Sequence, residues 1–295
     1  MMASRSLYCS VLAAMFLLPA FPPSQLFAQN REQSPAPIQD NSFLIEEAYN
    51  QEPGVVQHIN TFSRSWTTRQ WTYTFTEEWP VPRRARHQLS YTFSALTADP
   101  NACKGAGLGD VVLNYRYQAL GGGGSRLSFA PRISALLPSG DSSRGHGYGG
   151  AGLQINLPAS LVLNKQLVTH WNIGTTLVPS SRNVSGQKAF TNAYNAGQSL
   201  VWLARPNFNL LLETTWTGFE NVVGNGATQR SHDLLIGPGA RWAINLPGSL
   251  QIVPGISVPL GIGPGAGERS LFLYLSFEHP MWNEGSNRPT HQPVN

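Results

Sequence analysis

Several short stretches of this 295-residue chain have residue types that could do chemistry. Gly105-Ala106-Gly107-Leu108-Gly109-Asp110 has the look of a phosphate-cradling loop. Such a loop works when a helix follows and its free N–H groups face the anion. Here a strand-like run follows, so the glycines read as the turn before a strand. Gly121 to Gly124 has no Lys-Ser/Thr after it and reads as a flexible turn. Asn183-Val184-Ser185 matches a glycosylation sequon, which would mean little if the protein is bacterial. The histidines at 58, 87, 146, 170, 232, 279 and 291 show no metal-ligand spacing, so neither a metal site nor a cofactor is expected. His146, between glycines, reads as an exposed loop residue. Ser231-His232-Asp233 holds the residue types of a hydrolase triad, and weighing it requires the elements that would position them.

Charged residues make up 12% of the chain, against roughly 25% in a typical soluble domain. Hydrophobic content is 41% and mean hydropathy is −0.19. The charge deficit is therefore filled by Gly, Ser, Thr, Asn and Gln. That argues against an ordinary cytosolic enzyme and against a charge-rich disordered chain. The longest apolar run lies near the N-terminus, which excludes a multi-helix membrane protein. A secreted all-β protein or an outer-membrane β-barrel remains.

Residues 1–28 read as a signal peptide, with Arg5 before an apolar core from Val11 to Leu18 and Leu26-Phe27-Ala28 before the cut. Cys9 is not placed for lipidation, because the apolar stretch follows it. Cleavage leaves one cysteine, Cys103, which cannot form an internal disulfide. Cleavage also removes Arg5 and lowers the formal net charge from +4 to +3 (4 − 1), too weak to suggest nucleic acid as a partner. Arg83-Arg84-Ala85-Arg86 reads as a solvated turn. Residues 29–53 are rich in Gln, Pro and acids and read as a flexible periplasmic segment or plug-like tail. Within them Phe43-Leu44-Ile45, then Glu46-Glu47-Ala48-Tyr49, could form one helical turn.

From Gly54 onward the dominant period is two, the strand period. In Trp71-Thr72-Tyr73-Thr74-Phe75-Thr76, rings and hydroxyls alternate, and a pleated strand sorts them onto opposite faces. Leu89, Tyr91 and Phe93 alternate with Ser90, Thr92 and Ser94. Leu271, Leu273, Leu275 and Phe277 oppose Ser270, Ser276 and Glu278. Twelve such strands are expected, at 54–66, 70–79, 87–95, 110–118, 126–137, 148–163, 166–178, 190–204, 207–217, 231–244, 249–260 and 270–278. An even number suits a closed antiparallel barrel with both chain ends on the periplasmic side. Long connections at 96–109, 138–147, 179–189, 218–230 and 261–269 alternate with shorter ones, as in outer-membrane barrels, although the first hairpin at 67–69 is short.

A water-soluble sandwich would carry Lys and Glu outside. Here the face opposite the aliphatics carries Thr, Ser, Asn, Gln and Gly, which suits a wet or loop-plugged lumen with the apolar face on lipid. Most runs also approach the ~9–11 residues a membrane strand needs. Trp66, Trp71 and Trp216 near the long-loop ends, and Trp79, Trp202 and Trp242 near the short-turn ends, are expected to form two interface girdles. Trp171 fits neither. Pro131, Pro238, Pro254 and Pro259 each remove a ladder donor and predict bulges or rim positions. The barrel spans 54–278, and residues 279–295 form a tail.

By parity, Arg116, Arg132, His170, Glu213, Asp233 and Arg241 point into the lumen, with Arg132 and Glu213 nearest mid-depth. Charges there are tolerated when wetted or paired. They read either as a selectivity lining or as ion pairs that fill the interior. Outer-membrane phospholipases carry a Ser-His pair on the outside of a twelve-strand barrel, but a nucleophile needs a base within hydrogen-bond reach. His58 and His170 fall on the polar face by parity, so no outward histidine lies in register with an outward serine, and no enzyme is expected.

Gly107-Leu108-Gly109-Asp110, followed by Val111-Val112-Leu113-Asn114-Tyr115-Arg116-Tyr117, resembles the bacterial outer-membrane barrels described as transporter-like proteins of the phenol-degradation meta-pathway. Pro131-Arg132-Ile133 through Leu137-Pro138-Ser139-Gly140, and Gly149 to Leu163 with Asn156-Leu157-Pro158, agree. The resemblance covers about Val55 to Phe277. It implies a link to aromatic catabolism and no catalytic set. The tail after Phe277 departs from barrels that end on the aromatic of the last strand. The expectation is an outer-membrane channel passing a small solute, aromatic or weakly polar, with the lipid bilayer as its partner. A non-conducting structural or adhesive barrel and an outer-membrane lipase are the alternatives.

Overall fold

The computed structural model describes residues 38–82, 84–97, 105–247 and 250–280. The signal peptide, Cys103, Arg83 and the tail from residue 281 lie outside the described residues. Twelve antiparallel strands close into a barrel. They are β1 (Val55–Ser65), β2 (Trp71–Val81), β3 (Arg84–Thr97), β4 (Ala106–Leu108 continued by Val111–Tyr117), β5 (Leu127–Phe129 and Arg132–Leu137), β6 (Gly152–Asn156 and Ala159–Asn164), β7 (Leu167–Arg182), β8 (Lys188–Arg205), β9 (Phe208–Gly224), β10 (Ala227–Trp242, then Ile244–Leu246), β11 (Leu250–Ser257 and Leu260–Gly261) and β12 (Ser270–Pro280). Each strand pairs with the next, and β1 pairs with β12 from Val55 opposite Pro280 to Ser65 opposite Ser270, which closes the ring. Closure leaves no unpaired sheet edge, the condition for crossing hydrocarbon with strands.

The alternation sorts as the sequence predicts. Gln88, Ser90, Asn114, Ser134, Asn156 and Ser199 are buried in the interior, while Leu89, Phe93, Leu113, Ile133, Ile155, Ile173, Leu210 and Leu212 are exposed on the outside. One wall differs. Phe272 and Tyr274 of β12 face inward, 6% and 5% exposed, and with Val253 and Ala243 form a small dry cluster inside the barrel. All four flagged prolines sit where pairing is interrupted. Pro131 lies in the break of β5, and Pro259 in the break of β11. Pro238 and Pro254 face gaps in the β10–β11 ladder, so their missing N–H groups forfeit no bond there.

The expected long loops at 179–189 and 218–230 are instead mostly strand. β7 to β10 run 16, 18, 17 and 16 residues, leaving only 183–187 and 225–226 as turns. Asn225-Gly226 is a strong two-residue hairpin signal, because Gly226 adopts φ +70° without a Cβ clash. In the other turn, Asn183 Oδ1 accepts from the N–H groups of Ser185 (3.1 Å) and Gln187 (3.0 Å). The loops at 138–151 and 262–269 are long, as expected.

Candidate functional site

The lumen is occupied by the chain's own N-terminal segment. The residues from 38 onward, expected to be either a flexible periplasmic segment or a plug-like tail, run up inside the barrel and return to β1. Ala48 has no exposure and Ile45 only 4%. No helical turn forms at 43–49. The N–H groups of Phe43, Leu44 and Ile45 all donate to Glu213 Oε1, at 3.0, 2.9 and 3.1 Å, rather than to a helical carbonyl. Three amides converging on one carboxylate oxygen form a concave anion nest, with the anion supplied by β9.

The wall is shaped for this plug. A Cβ on Gly255 would lie 2.6 Å from the Phe43 ring, and one on Gly197 would lie 2.4 Å from Ile45 Cδ1. Phe43 packs on Phe272 and Tyr274, with ring centroids 5.5 and 5.4 Å away. The inward aromatics of β12 thus have an apolar partner inside the barrel, which explains why they do not face lipid.

Five of the six predicted lumen residues meet the plug. Glu213 holds residues 43–45, as described. Arg241 donates to the Asn41 carbonyl and lies over the Tyr274 ring, 5.0 Å from its centroid. His170 has no exposure; Nε2 lies 2.9 Å from the Asp40 carbonyl and Nδ1 2.8 Å from Ser160 Oγ. Arg116 and Arg132 both bind Glu46. Asp233 is the exception, exposed on the upper part of β10 opposite Thr217. Sequence reasoning missed the uncharged anchors: Ser42 to Ser199 (2.6 Å), Asn172 to the Glu46 carbonyl (2.7 Å), Gln118 to the Ala48 carbonyl (2.8 Å) and Asn209 to the Gln39 carbonyl (2.9 Å). Their only sequence signal is an amide or hydroxyl at an inward position.

Glu46 is the electrostatic centre of the plug. Arg132 Nε donates to both of its oxygens, at 3.0 and 2.9 Å, and Asn156 Nδ2 donates at 2.7 Å. Arg116 also donates to it, and to the Tyr49 carbonyl at 2.7 Å. Burial pushes the Glu46 carboxyl up, but the two guanidiniums and these bonds outweigh it and hold the pKa at about 2. Glu47 has no such pair of partners, and burial raises it.

Above the plug is a cavity of about 770 Å³. Leu44, Ile45, Glu46 and Arg132 form its floor, and Gln154, Asn156, Asn172, Thr176 and Asn195 line its walls. It lies on the side of the long loops, away from the chain ends.

On the outer surface, Trp71 and Trp79 stand at the two ends of β2, and Trp202 and Trp242 lie near the turns at the opposite end from the long loops. Trp66 is 51% exposed in the first hairpin, and Trp216 stacks on His232. His58, expected in the lumen, faces outward instead. It is directly opposite Glu77 and Phe277, on the face that carries Trp79 and Leu89. Because parity is counted from a strand's register, the weak alternation of β1 left its face undetermined until it paired. Its Nδ1 lies 3.3 Å from Glu77, and its Nε2 lies 3.0 Å from His279.

An apolar exterior around a closed, polar-lined barrel is the transmembrane form of this architecture. The chain is an outer-membrane β-barrel. Solved structures agree on the fold. The COG4313 outer membrane channel from Pseudomonas putida F1 superposes with a TM-score of 0.62 at 12% identity, over 79% of this chain and 97% of that one. The NanC porin gives 0.51 at 10% identity, over 75% and 98%. No protein-family profile matches the chain, and no curated protein matches it.

Proposed function

We propose that this barrel is a passive channel for a small solute and that residues 38–54 are its movable plug. The observation that carries the reading is the cavity of about 770 Å³, whose floor is formed by the plug residues Leu44, Ile45 and Glu46 beside Arg132 of the wall. A solute can enter from the long-loop side and goes further only if the floor moves. The plug is held by polar bonds to an interior of amides, hydroxyls and a few charges. Water can replace such bonds, so release does not require unfolding the barrel. The lumen residues Arg116, Arg132, His170, Glu213 and Arg241 act as plug anchors and, once it leaves, as the pore lining. The six tryptophans serve as interface anchors. An aromatic or weakly polar solute is favoured by the resemblance of the Gly107–Tyr117 stretch to the phenol-degradation transporter-like barrels.

Ser42 and Ser199 offer a direct test, since their hydroxyls meet at 2.6 Å. In a Cys103→Ser background, Ser42→Cys with Ser199→Cys places two thiols to lock the plug to β8. Liposome swelling in small solutes should be low when the pair is oxidised and recover on reduction. Equal swelling in both states refutes a movable plug. The absence of swelling and of single-channel steps in the reduced protein favours a non-conducting barrel.

A further inference from the structure

Arg116, Arg132 and Asn156 lie side by side on three adjacent strands, with Arg116 opposite Arg132 and Arg132 opposite Asn156. Two like charges directly opposite each other destabilise a sheet unless something sits between them. Here that is the carboxylate of Glu46. The donors reach both of its oxygens: Arg132 Nε is shared between the two, Arg116 adds a bond to Oε1 and Asn156 one to Oε2, all assisted by the carboxylate's charge.

Two observations show that this is a site of the wall and not only an anchor of the plug. First, the wall aims Arg132 by itself, because Arg132 Nη1 donates to Asn114 Oδ1 at 2.7 Å and to Ser134 Oγ. Second, Arg132 and Glu46 both line the cavity floor, each with 17% side-chain exposure, so a solute in the cavity reaches them without crossing the plug. The plug from 38 to 54 contains Asp40, Glu46, Glu47 and Glu52 and no Lys or Arg. Its departure removes Glu46 from between the paired guanidiniums and leaves them facing the lumen, with Glu78 of β2 as a wall carboxylate that still acts on Arg116.

We infer that Arg116, Arg132 and Asn156 form a recognition site for the carboxylate of a small organic acid, and that Glu46 occupies it as an intramolecular stand-in. An incoming carboxylate replaces Glu46 one for one, so the exchange keeps the charge of the site constant while freeing the plug. This rests on the channel reading and narrows its solute class to carboxylates.

The test uses the full-length barrel in detergent with benzoate, and with benzamide as its uncharged near-isostere. Removing the internal competitor in Glu46→Ala should tighten benzoate binding in calorimetry by about 10-fold or more, since a competitor that fills the site most of the time lowers apparent affinity by that fraction. Benzamide should bind neither protein measurably. Adding Arg132→Ala, or Arg132→Gln if that variant does not fold, should abolish the gain. In the wild type, benzoate but not benzamide should speed amide hydrogen exchange across 38–54. Equal binding of benzoate and benzamide by Glu46→Ala, or benzoate binding indifferent to Arg132, overturns the site. Benzoate binding as expected but with no swelling in any variant removes the channel reading and leaves the site standing.

Discussion

Glu213 makes the most concentrated demand on the plug, because one buried oxygen accepts three backbone N–H groups. Glu213→Ala leaves Phe43, Leu44 and Ile45 with three donors in an interior without a replacement acceptor. Each buried unsatisfied donor costs about 1–3 kcal/mol. Taking the low end, because the segment can shift and admit water, the seated plug loses about 3 kcal/mol, or about a 100-fold change in the seated-to-released ratio. Glu213→Gln keeps a carbonyl acceptor at the same place and loses only charge assistance, so it should cost about 10-fold. Hydrogen exchange followed by mass spectrometry on the peptide covering 38–54 measures this directly, with the peptides of β8 and β9 as internal references. Exchange should accelerate in the order wild type, Gln, Ala. If Glu213→Ala folds as a heat-modifiable barrel and its 38–54 amides exchange within about twofold of wild type, Glu213 does not hold the plug and the reasoning fails.

Three further outcomes follow from the same contacts. Glu46 has a folded pKa of about 2, lowered from 4.5, so its ionised form is favoured by the seated state. The resulting stabilisation is fully present above pH 4.5 and is lost as pH falls towards 2. Channel current attributable to Glu46 release should therefore be flat from pH 8 to about 5 and rise only on further acidification, as planar-bilayer recordings will show. Gly255→Ala pushes a methyl group to within 2.6 Å of the Phe43 ring, so it should loosen the plug and raise conductance, and Phe43→Ala in the same chain should add little more. In the turn between β9 and β10, Gly226→Val puts a β-branched residue at φ +70° and should lower the melting temperature of the barrel, read by loss of heat-modifiable mobility, without altering exchange of the plug.

The sequence determined the barrel because its evidence is local. Thr72, Thr74 and Thr76 alternate with Trp71, Tyr73 and Phe75, and that alternation is enough to assign opposite faces once strand geometry is granted. The same parity put Arg116, Arg132, His170, Glu213 and Arg241 inside. Parity fails where the alternation is weakest, at His58 in β1, and most of the loop expected at 218–230 is strand that turns at Asn225-Gly226.

The tertiary structure alone decided what those inward charges do. Glu46 lies 70 residues from Arg116 and 86 from Arg132 in the chain, and Phe43 lies 229 from Phe272, so no periodicity or spacing links them. A short segment rich in Gln, Pro and acids lacks a pattern of its own, because the partners that order it belong to the wall. Only closure of twelve strands around that segment brings Glu213 to its amides and two guanidiniums to one carboxylate, and so turns a lining that could have been open into one that is occupied.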